Sequence, residues 1–246
     1  MTTTTVVDSP LGNISITLNS RIDSTPTRIY INEFLGNAFP PHKLREVVNG
    51  FITLPGYGGM SIKHNLPDES LCWQAYGDAV ATLLKHSLKN PVGLLGNSMG
   101  AMIAIYAALK QSSAVDHLIL YRVPTFGELR GDVHGKYRHV ANSIVDKDTF
   151  ENFINRIDSE ENLTFVQTLK AVGWQGAKKL YASAAISDLE SSLLKNINIP
   201  VYFLINPKEI DEIHPKTAQE KMVTLMTGTS TKEFIQLKDL KNTLIL

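Results

Sequence analysis

The chain has 246 residues, with 24 Lys plus Arg against 24 Asp plus Glu, so its formal charge is zero. That length can bury one α/β core, and the balanced charge leaves no basic excess for nucleic acid or an acidic membrane. A single cysteine, Cys72, excludes an internal disulfide; no basic-then-apolar leader opens the chain, and no apolar run nears the roughly 18 residues of a membrane span, so a cytoplasmic protein is expected.

Residues 3–7 and 13–18 alternate β-branched and polar side chains around Ser9-Pro10-Leu11-Gly12, which predicts an antiparallel edge pair. A polar loop at 19–26 leads to a strand at 28–34, R-I-Y-I-N-E-F, ending in Leu35-Gly36-Asn37. A short helix at 42–48 and a buried strand at 50–54 follow, then the loop L-P-G-Y-G-G-M-S from Leu54 to Ser61. Apolar residues at Leu71, Ala75, Ala79, Leu83 and Leu84 predict a helix over 68–88.

The next stretch is the most informative. Val92 to Leu95 is a short apolar run, G-N-S-M-G follows at 96–100, and an Ala-rich helix pattern comes directly after. A turn this sharp forces its central residue into a strained conformation, and glycine on both flanks removes side chains that would collide with the neighbouring helix and strand. Ser98 is therefore expected clear of the sheet, at the positive end of a helix.

Beyond it, 115–123 reads as another buried strand. Residues 126–189 lose strand patterning and contain helix candidates at 148–157 and 163–172; they predict a helical cap inserted into a core made of 1–125 and 190–246. A strand at 199–206, a helix at 215–226 and a last strand at 232–237 close the pattern. Strands alternating with helices predict a mostly parallel central sheet with helices on both faces.

G-N-S-M-G between strand and helix, P-G-Y-G after the strand at 50–54, and the late acidic loop resemble the α/β-hydrolase family over residues 3–237. The resemblance implies Ser98 as nucleophile, with backbone N–H groups of Met99 and Asn37 forming the oxyanion hole. It implies an acid after the strand at 199–206, where both Asp211, by its spacing to Pro215, and Glu209 fit. It also implies a histidine after the last strand, but Lys241 and Asn242 stand there and no histidine follows residue 214. His214 is then the leading base, with His134 and His139 from the cap as alternatives. No cofactor is implied, and no metal-ligand spacing is present.

Two functions follow from these residues. One is a serine hydrolase of a small ester, thioester or related acyl substrate. The other is a hydrolase-fold binding or accessory protein that has lost its base.

Overall fold

The computed structural model describes residues 2–19, 27–206, 210–211 and 213–239. The expected roles of Glu209, Lys241 and Asn242, and most of the expected loop at 19–26, lie outside the described residues. Eight strands form one sheet: β1 (Thr2–Ser9), β2 (Gly12–Asn19), β3 (Arg28–Ile31), β4 (Gly50–Thr53), β5 (Val92–Asn97), β6 (Val115–Tyr121), β7 (Val201–Ile205) and β8 (Lys232–Gln236). Their order is β1-β2-β4-β3-β5-β6-β7-β8. β2 runs antiparallel to both β1 and β4, and every later pairing is parallel.

Period-two alternation divides the side chains of the central strands between two apolar clusters. Ile29, Ile31, Leu94, Leu118, Leu120 and Phe203 point to the larger cluster, with α1 (Trp73–Ser87) and α2 (Met99–Lys110). Tyr30, Leu95, Ile119, Tyr121 and Leu204 point the other way, where Leu44 of a 3₁₀ turn (His42–Leu44) and Val48 cover them. All six residues of β5 are buried, as a central parallel strand requires. The short helix expected at 42–48 is only this 3₁₀ turn.

Between β6 and β7 the chain holds helices and no strand: α3 (Val133–Ser143), α4 (Lys147–Ile157) and α5 (Leu163–Ile186). The helical geometry expected over 163–172 stops at Gly173, with φ 68° and ψ −179°, and a second helical segment continues α5 beyond this kink to Ile186. The reach of α5 also explains why α1 starts at Trp73 instead of Asp68. Ser183 Oγ accepts from Leu71 N at 2.8 Å and Ser187 Oγ accepts from Trp73 N at 3.1 Å. These serines take up the N–H groups of Leu71 and of Trp73, the first residue of α1. α6 (Lys216–Leu225) connects β7 to β8. No helix among the described residues is long and apolar enough to cross a membrane.

The close seat of α2 on β3 depends on Gly100, because a Cβ there would fall on the Ile31 carbonyl oxygen. Alanine is the better helix former by about 1 kcal/mol, but here the backbone of β3 blocks it. Gly100→Ala is expected to lower unfolding free energy by about 1–3 kcal/mol, measured by urea denaturation. Unchanged or increased stability would contradict this packing.

Candidate active site

β5 delivers the chain to Ser98 at the centre of the sheet's C-terminal edge, and α2 begins at the next residue. Ser98 has φ 53° and ψ −115°, a region that a residue with a Cβ rarely occupies. Two backbone bonds hold it there: Ser98 N donates to Tyr121 O at 2.9 Å, and Ser98 O accepts from Ala101 N at 2.9 Å. Gly96 is needed for the same turn, since a Cβ there would collide with Gly100 O and Ala101. Met99 is the first helical residue, so its N–H has no partner within the helix.

His214 lies across from the serine. Its Nε2 is 2.8 Å from Ser98 Oγ, and both residues are buried. The imidazole reaches this place on the loop between β7 and α6, three residues after Asp211. Asp211 Oδ1 accepts from Ile213 N at 2.8 Å and from His214 N at 2.7 Å, folding the loop into a tight turn. The same carboxylate lies 3.0 and 3.1 Å from His214 Nδ1. A proton on Nδ1 satisfies both ends of the ring: Nδ1–H donates to Asp211, and the Nε2 lone pair accepts from Ser98 Oγ. Thr125 N donates to Ile213 O at 2.8 Å, which fastens the loop to the chain leaving β6.

Partial burial works against the charge on Asp211. The hydrogen bonds from the His214 ring and backbone, the charge that ring can carry and the Ile213 N–H outweigh it, so the carboxyl is held below its ordinary value. Arg122, which has φ 48°, spans the site's flank. Its Nη1 donates to Glu33 Oε2 at 2.7 Å, and its Nη2 is 3.6 Å from Asp211 Oδ2. The guanidinium thus links the end of β3 to the loop that carries Asp211 and His214.

The other histidines are elsewhere. His134 Nδ1 bonds Ala185 O, and His139 is exposed. Asn37 is also exposed, and its Oδ1 accepts from Phe39 N at 3.0 Å. The cavity at Ser98 is lined instead by Phe34, together with Met99, Trp73 and Tyr137. β3 ends at Ile31, earlier than the expected strand at 28–34, and Phe34, three residues on, lines the cavity at Ser98.

The P-G-Y-G loop supports this turn from below. Tyr57 is buried, its hydroxyl accepts from Leu35 N at 3.4 Å, and it lies 3.7 Å from Met99 Sδ. Tyr76 in turn donates from its hydroxyl to Pro55 O at 2.8 Å. Among the described residues, no group of His, Cys, Asp and Glu is arranged to hold a metal.

No family model and no curated protein sequence matches this chain. Solved structures do. A hydrolase from Pseudomonas aeruginosa PA01 superposes with TM-score 0.69 at 13% identity, covering 97% of this chain and 93% of its own. An esterase from Exiguobacterium antarcticum gives 0.65 at 17% identity, covering 97% and 94%. The thioesterase domain from the curacin biosynthetic pathway gives 0.65 at 14% identity, covering 99% and 96%. The chain has the α/β-hydrolase fold.

The lowered pKa of Asp211 bears on stability. A carboxyl depressed by folding contributes stability above its unfolded value, and that contribution disappears as pH falls through the folded one. Asp211→Asn keeps the side-chain shape without the charge. The stability difference between parent and variant should shrink as pH falls below the ordinary carboxyl value of 3.8. A difference that is the same at pH 6 and at pH 2.5, read from urea denaturation, would contradict the assignment.

Proposed function

We propose that this protein is a serine hydrolase acting on a small ester, thioester or related acyl substrate. The observation that carries this reading is the 2.8 Å contact between Ser98 Oγ and His214 Nε2. Ser98 Oγ attacks the substrate carbonyl carbon while its proton passes to His214 Nε2. Asp211 holds the ring with Nε2 facing the serine and stabilises the imidazolium that forms. The N–H groups of Met99 and Phe34, in place of Asn37, receive the negative charge on the carbonyl oxygen. As the tetrahedral species collapses, His214 returns the proton to the leaving group and an acyl-Ser98 remains. Water, activated by the same ring, then releases the acid. This route uses no cofactor.

The helical segment 126–189 acts as a cap in this reading, with Tyr137 and Ala184 contributing to the cavity wall at Ser98. The esterase, thioesterase and hydrolase among the structural neighbours support the same reaction class. Zero net charge and a single cysteine support work in the cytoplasm, without nucleic-acid or membrane partners.

Labelling with a fluorophosphonate and turnover of 4-nitrophenyl acetate test this function. The parent should label and Ser98→Ala should not. His214→Ala should lower kcat by a factor of about 10³ to 10⁵ with the fold intact. Near-parent turnover in His214→Ala would remove His214 as the base. A parent that neither labels nor turns over would favour the second reading, a binding protein on a hydrolase fold.

A further inference from the structure

Arg130 ends the 3₁₀ turn Gly127–Arg130 and lines the same cavity as Ser98, yet it is 3% exposed. Its Nη1 donates to Ser187 O and its Nη2 to Ala184 O at 2.6 Å, both at the C-terminal end of α5. The guanidinium lies over the Trp73 ring, 4.6 Å from its centroid. These partners are neutral. Among the described residues no carboxylate pairs with Arg130: Asp188, the acid that supports its charge from a distance, has Oδ1 occupied by the N–H groups of Gly127 and Leu189, each at 2.8 Å. The Arg130 Nε–H is buried and has no hydrogen-bond partner.

A guanidinium in an apolar wall is unfavourable unless its charge is paired and its donors are satisfied. The helix end and the indole face offset part of that burden, and they occupy the Nη end of the group. They leave the edge that contains Nε. That edge, with one Nη, is a planar pair of donors whose spacing matches a carboxylate. The neighbouring cavity offers about 30 Å³ to the centres of water-sized groups, which favours a short acyl group over a long alkyl chain.

We propose that the substrate of the Ser98 site carries a carboxylate close to the scissile carbonyl, received side-on by the Nε edge of Arg130. This deepens the hydrolase reading and rests on it for the reaction. The substrate class becomes short acyl esters or thioesters that bear an acid, and the released product is a small dicarboxylic acid. A role for Arg130 confined to closing the end of α5 would give no such preference.

The test compares 4-nitrophenyl hydrogen succinate with its uncharged methyl ester as substrates, and measures succinate binding by calorimetry with chloride as the control anion. The parent should prefer the acid by at least about 10²-fold in kcat/KM and bind succinate saturably. Arg130→Gln should lose both. Arg130→Lys keeps a charge without the planar edge, so it should lose at least tenfold of the preference while remaining folded by circular dichroism; it decides the matter if the glutamine variant does not fold. Turnover with no preference for the acid and no succinate binding overturns the Arg130 proposal and leaves the hydrolase reading standing. Succinate binding that depends on Arg130 in a protein without turnover does the reverse.

Discussion

The backbone of Ser98 is the constraint on which the rest depends. A serine with φ 53° is unstable on its own, by about 1–3 kcal/mol. It persists because β5 and α2 are packed too closely for any other path between them. Gly96 and Gly100 permit that approach, and the bond from Ser98 N to Tyr121 O ties the turn to the adjacent strand. The same approach brings the N-terminus of α2 beside the turn that follows β3. One steric condition therefore sets the serine, the Met99 N–H and the position of Phe34 together.

The base in this reading comes from an unusual place for the fold. The α/β-hydrolase resemblance implies a histidine after β8; here the imidazole beside the serine is on the loop after β7, three residues from its carboxylate. Such a short span makes Asp211 serve two purposes. Its oxygens accept two backbone N–H groups that shape the loop and face the ring nitrogen as well. The loop is anchored from outside by Thr125 N on one side and by Arg122, itself paired with Glu33, on the other. A self-contained acid and imidazole pair needs no contribution from the strand at the sheet's edge.

The parallel core was readable because buried strands and amphipathic helices leave strong periodic patterns. β5, β6 and β7 are apolar runs, and the Gly-x-Ser-x-Gly spacing is a local steric statement. Long-range partners leave no such trace. The start of α1 is held by Ser183 and Ser187, more than a hundred residues away, which accept from Leu71 N and Trp73 N. Gly173 does interrupt the helix, but a second helical segment follows directly after it. The strand expected at 28–34 is shorter because the end of β3 is set by its pairing with β4 and β5. His214 was visible as a candidate through its spacing to Asp211; its closeness to Ser98 depends on how the loop folds back, which spacing does not encode.

Nitrogen-15 NMR of the imidazole of His214, assigned by comparison with His214→Gln, tests the proposed arrangement most directly. Near neutral pH the account predicts the tautomer protonated at Nδ1, with that proton strongly downfield from its bond to Asp211 and with Nε2 responding to Ser98→Ala. A ring protonated at Nε2 alone, or one indifferent to both Ser98→Ala and Asp211→Asn, would contradict it.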